Sequence, residues 1–122
     1  LLENAFAVSI DVAHAVHPNY PEKHDPRHPV YLGKGIALKW SAKQKYATDA
    51  IGASFFKNYQ PYVSRNDIPS GSTVGPIQST LLGVRTVDIG IPILSMHSIR
   101  EIISIKDHNA MIETLRRLMK DA

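Results

Sequence analysis

The sequence predicts an α/β fold, a mainly parallel sheet flanked by helices. Three observations lead there. Short apolar runs bounded by loop residues read as buried strands. Segments with apolar residues at helical spacing fall between them. The two kinds alternate along 122 residues, the order that lays helices over a sheet of largely parallel strands. A chain of this length can bury a core without staples, and with no cysteine it has no disulfide to supply one.

Ala5 to Ile10 (AFAVSI) is the first apolar run and is expected to be a buried strand. From Asp11 to Gly35 the periodicity stops: four His and four Pro, with two Gly near the end, predict a long loop. Loops of that length inside a compact unit are usually functional or disordered. Ile36 to Trp40 (IALKW) reads as the second strand. A helix is expected from about Ala42 to Asn58, because Tyr46, Ala50, Ala53 and Phe56 recur at helical spacing, and Pro61 bars its continuation.

Tyr62 to Arg65 follows as a brief strand and Asn66 to Gly75 as a Gly/Ser/Pro loop. Pro76 suits the first turn of a short helix over Ile77 to Leu82, which Gly83 closes. Val84 to Ile89 is the next strand, with a turn expected at Gly90 to Pro92. The last helix is expected to take Asp107 as its N-cap. Met111, Leu115 and Leu118 give it an apolar face, widened by Ile112 and Met119. No internal repeat is visible.

Fourteen Lys and Arg against eleven Asp and Glu leave a net charge of +3 with His neutral. That excess is scattered, so neither a nucleic-acid partner nor a membrane is expected. Without cysteine any metal must be held by His and carboxylates, a donor set suited to zinc, manganese or cobalt. The lack of cysteine also fits a reducing compartment, and a cytoplasmic location is expected. No signal peptide is evident; the chain starts almost directly with a strand and without Met, as a portion of something longer would.

Asp11 follows an apolar strand, and functional groups of α/β sheets gather where strands end. Its carboxylate needs a cation or hydrogen-bond donors nearby. On position alone it serves equally well as a carboxylate capping a turn. His14 and His17 come next, in SIDVAHAVHPN, and with His24 and His28 they can also be read as a zinc-binding tract. His97, in MHSIRE, is a lone His, more often a hydrogen-bonded structural residue than a ligand. It lies 86 residues from Asp11, so only the fold can join them.

The loop RNDIPSGSTVG (Arg65 to Gly75) is rich in backbone donors and runs into a helix, an arrangement able to present amides to a carboxylate or carbonyl. It lacks the lysine and spacing of a nucleotide phosphate loop. Lys39 alternates with Leu38 and Trp40 near a strand end, where it can face a cleft or guard an edge. Tyr46 reads as core.

Four segments, SIDVAHAVHPN, LKWSAKQKY, RNDIPSGSTVGP and SMHSIRE, occur in this order and together resemble the aspartyl aminopeptidases, members of the wider clan of two-zinc exopeptidases. The resemblance runs from Ala5 to about Glu101 and implies that residues 1–122 are the C-terminal portion of a metalloaminopeptidase catalytic domain. It assigns Asp11 to one zinc and His97 to the other, two ions making a complete site. His14, Lys39 and Tyr46 would face the peptide substrate, with Ser70, Gly71, Thr73 and Gly75 in the wall of the substrate pocket.

The resemblance also implies removal of N-terminal Asp or Glu, which a lysine in a confined pocket complements. The general-base Glu, the remaining ligands and an inserted dimerisation domain would lie upstream. The chain by itself is then expected to be inactive, and the whole protein a homo-oligomer built from dimers. The competing expectation is a binding or assembly module of the same α/β layer without catalysis.

Overall fold

The computed structural model describes residues Leu2 to Asp121. In chain order its elements are strand β1 (Phe6–His14), a 3₁₀ turn (Pro21–Lys23), β2 (Ala37–Trp40), helix α1 (Ala50–Ala53), β3 (Gln60–Val63), α2 (Gly75–Leu82), β4 (Arg85–Leu94), β5 (Ile102–Ile103) and α3 (Ile105–Asp121). The strands form one sheet in the order β1-β4-β2-β3, with β5 also on β4. β1 and β4 run parallel over nine residue pairs and β2 and β3 over four. β2 and β5 each meet β4 antiparallel over two pairs. The sheet is therefore mixed, with the parallel ladders dominant, and helices flank it.

Alternation along the strands divides the molecule. Ile36 and Leu38 of the second strand region, Val87 and Ile89 of β4, Ala53 of α1, Phe56 just after it, and Met111 of α3 form the main core, with Leu115 and Leu118 packed on it. Leu38 and Ile89 are fully buried, each contributing roughly 1.5–3 kcal/mol over an exposed side chain. The neighbouring positions Ala37, Lys39 and Asp88, together with Asp11, Ala13 and Tyr62, belong to the other side of the sheet, where a second small cluster of Ala13, Val30 and Ala37 packs against Tyr62. The expected face of α3 is present. Its widening is not, because Ile112 and Met119 are exposed.

Several expected elements are corrected. β1 does not end at Ile10 but continues through Asp11 to His14, and β4 does not turn at Gly90 to Pro92 but runs straight to Leu94. Gly90 is needed for another reason: a Cβ there would lie 2.9 Å from the Asp11 carbonyl oxygen across the ladder. Pro92 falls between the stretch of β4 paired to β2, which ends at Gly90, and that paired to β5, which begins at Ile93. Its missing N–H therefore denies no bond to either. β3 starts two residues earlier than expected, taking in Pro61, as an outer strand permits.

The helix expected over Ala42 to Asn58 shrinks to Ala50–Ala53. Asp49 caps it, its carboxylate accepting from the Gly52 amide at 2.6 Å. Upstream, Gln44 has a left-handed φ of 54°, and the chain spends its polar groups on β4. The Ala47 amide donates to Asp88 Oδ2 at 2.6 Å, and Thr48 Oγ1 accepts from the Asp88 amide at 3.0 Å. Gly83 closes α2 as expected, at φ 63°. Asp107 is not an N-cap. It sits inside the first turn of α3, buried, and accepts from the amides of Gly33 at 2.7 Å and Gly35 at 2.8 Å. Ser104 Oγ instead accepts from the Lys106 amide at the helix start.

Candidate active site

One cleft of about 670 Å³ opens on the sheet face opposite the main core. Asp11 of β1, His14 at its end, Lys39 of β2, Tyr46 before α1, Ser70, Gly71 and Thr73 of the loop after β3, and His97 beyond β4 all line it. Residues up to 86 positions apart thus meet because β1 and β4 are parallel and both deliver their C-terminal ends to the same edge. Gly75 is the exception. It is buried under the loop, where an added Cβ would lie 2.4 Å from Asp88 Oδ2, and it does not line the cleft.

Lys39 is 2% exposed, and its strand is interior, between β4 and β3. It is therefore not an edge lysine. Its ammonium lies 3.8 Å from Asp11 Oδ2 and 5.5 Å from the centre of the Tyr46 ring, the latter a cation–π distance. Burial pushes the Lys39 pKa down, and the carboxylates of Asp11 and Asp88 partly oppose this. Tyr46, 8% exposed, meets the Tyr62 ring edge-on at 6.1 Å. Burial first, then the neighbouring Tyr62, push its pKa up to about 12. It is therefore a neutral phenol near neutral pH.

Asp11 lies within the strand rather than after it, but its side chain is 56% exposed toward the cleft. One oxygen accepts from the Val12 amide at 2.8 Å. His14, exposed at the end of β1, has its pKa lowered by partial loss of solvent in the cleft, then by His97 and Lys39, which favours the neutral imidazole. His97 follows β4 on a strained turn. Both it and Ser95 hold left-handed φ, 68° and 58°, a conformation that costs side-chain-bearing residues about 1–3 kcal/mol and clusters at functional sites. The His97 amide donates to Glu101 Oε1 at 2.5 Å, fixing the turn.

A carboxylate and an imidazole sharing one cleft are donor types that zinc takes. Among the described residues no group of three or more His, Cys, Asp or Glu side chains is arranged to hold a metal. The residues present therefore fit part of a zinc shell, with the remaining donors required from elsewhere. The His tract makes no such group either: His14, His17 and His24 line the same cleft, but the His17 amide donates to His24 Nε2 at 3.3 Å, and His28 pairs with Asp25 at 2.8 Å.

Two residues of this region escaped sequence reading. Tyr62, opposite Lys39 in the β2–β3 register, lines the cleft, and its hydroxyl accepts from Ser64 Oγ at 3.2 Å. Asp88, 1% exposed on β4, lies beneath. The available signal for Asp88 was a carboxylate inside an apolar strand, a residue type almost never buried without partners.

The sequence model of the Peptidase M18 family, described as aminopeptidase I zinc metalloprotease, matches residues 1–118. A probable aspartyl aminopeptidase of Ricinus communis is 41% identical over 128 aligned positions, covering 98% of this chain and 26% of the relative. The crystal structure of prApe1 superposes with a TM-score of 0.92 at 31% identity, over 98% of this chain and 27% of the other. The S. cerevisiae mApe1 dodecamer superposes with a TM-score of 0.79 at 29% identity, over 98% and 27%. The chain thus spans about a quarter of the length of these relatives.

Proposed function

Because the chain belongs to the M18 aminopeptidase family, we propose that it serves as the C-terminal portion of the catalytic domain of a zinc aminopeptidase that removes acidic N-terminal residues from peptides. The observation that carries this reading is the convergence of Asp11, His97 and a buried lysine on one cleft. Asp11 and His97 would each hold one of two zinc ions. Bound zinc supplies polarisation of the scissile carbonyl and a more acidic water. The general-base Glu and the other ligands belong to the upstream part of such a protein, so residues 1–122 alone would not turn over substrate.

The chain's own residues bind and orient. Lys39 offers an ammonium in a confined, poorly solvated place, where attraction to an Asp or Glu side chain is stronger than in water. Its contact with Asp11, at 3.8 Å, is long enough to leave donors free for a second acidic group. His14, whose pKa is lowered by its surroundings, can as a neutral imidazole accept or donate one hydrogen bond to the substrate backbone. Ser70 and Gly71 bring polar backbone to the opposite wall. The likeness to a dodecameric relative supports a homo-oligomer built from dimers. The absence of cysteine supports a cytoplasmic location.

The test is His97→Ala in the full-length protein. Zinc content per subunit should fall by one ion and turnover by orders of magnitude. Unchanged metal and activity would defeat the assignment. A full-length protein that binds no zinc and cleaves no peptide would instead favour the non-catalytic module.

A further inference from the structure

We propose that Asp88, which does not line the cleft, is the positioning residue that sets the distance between its two substrate-binding walls. This rests on the cleft being the substrate site. Asp88 is 1% exposed, and no Lys, Arg or His forms an ion pair with it among the described residues. Its two oxygens are committed to different loops. Oδ2 accepts from the Ala47 amide at 2.6 Å, beside Tyr46. Oδ1 accepts from Thr73 Oγ1 at 2.6 Å, in the loop of Ser70 and Gly71. Neither loop has regular secondary structure at these points, so one carboxylate on a rigid interior strand takes the place of a ladder.

The packing around it is built for that role. Gly75 leaves room for both oxygens, which a Cβ would meet at 2.4 and 2.5 Å. The Asp88 amide donates to Thr48 Oγ1 at 3.0 Å, so the Tyr46 loop is held at two consecutive residues. Thr73 is reassigned by this geometry: its hydroxyl proton goes to Asp88, not to substrate.

Asp88→Asn keeps the volume but removes the charge, so both bonds lose their charged acceptor and the Thr73 hydroxyl stays in contact only by turning round to accept from the new NH2 group. In the full-length zinc-loaded protein, with an Asp p-nitroanilide as substrate, Asp88→Asn should raise KM about tenfold. It should change kcat less than about threefold and leave zinc per subunit unchanged. Thr73→Val should also raise KM, and Thr73→Ser, which keeps the hydroxyl, should restore it. The Thr73→Val/Asp88→Asn double variant should cost less than the sum of the two single penalties, because both act on the same link between the loops.

A wild-type KM in Asp88→Asn, additive penalties in the double variant, or loss in kcat and zinc together would overturn the proposal. Should Asp88→Asn not fold, the Thr73 pair decides, since Thr73→Val with an unraised KM overturns it. Wild-type protein with no aminopeptidase activity would sink the underlying reading, and this one with it. Active wild type with indifferent variants would sink this inference alone.

Discussion

Lys39 illustrates what a single side chain can decide. An ammonium this buried sheds water that two carboxylates and a tyrosine face only partly replace, so a further anion is welcome beside it. Lys39→Ala should cost hydrolysis of Asp- and Glu-amides much more than that of neutral analogues, measured as the ratio of kcat/KM values. Equal losses on both would remove Lys39 from selectivity. The residue was legible as a cleft candidate from its position in IALKW, but its burial was not. Alternation assigns a face and does not say whether that face is covered. Tyr46 was ambiguous for the same reason, since a tyrosine that lines a cleft and one that fills a core share the same spacing.

Among the elements, α1 is the most instructive. Its four residues depend on Asp49, whose carboxylate accepts from Gly52 at 2.6 Å and from Arg85 Nε at 2.9 Å. Losing this cap in Asp49→Ala should cost about 1 kcal/mol of unfolding free energy in the full-length protein. The Gly52 bond first, then Arg85, hold the Asp49 pKa below its usual value. In the unfolded chain the group takes its proton at an ordinary carboxylate pKa, so its contribution is complete above that value. It fades as pH falls through the lower folded one. Asp49→Asn should flatten the acid limb of a stability-against-pH curve; an unchanged limb would assign it to other carboxylates. Gly52→Ala is a harsher change: its Cβ would sit 2.4 Å from Val87 Cγ2, an overpacking worth about 1–3 kcal/mol.

At the scale of the whole molecule, Asp107 ties α3 to a turn more than seventy residues away. Asp107→Ala strands the amides of Gly33 and Gly35 and should lower unfolding free energy by about 3 kcal/mol. Denaturant titration of the full-length protein would read this, and a loss under about 0.5 kcal/mol would mean the turn re-solvates freely. Alone, the sequence determined the α/β class, the strand–helix order, the Gly83 cap and the apolar stripe of α3, because periodicity and capping act over a few residues. It also supplied the candidate ligands Asp11 and His97 through their motifs. Only the tertiary structure decided that β4 runs through Gly90 and Pro92, that residues 42–49 give up a helix to satisfy Asp88, and that Gly75 lies beneath the cleft wall. These outcomes turn on hydrogen bonds and close approaches between residues 13 to 79 positions apart, and local spacing carries no record of who the distant partner will be.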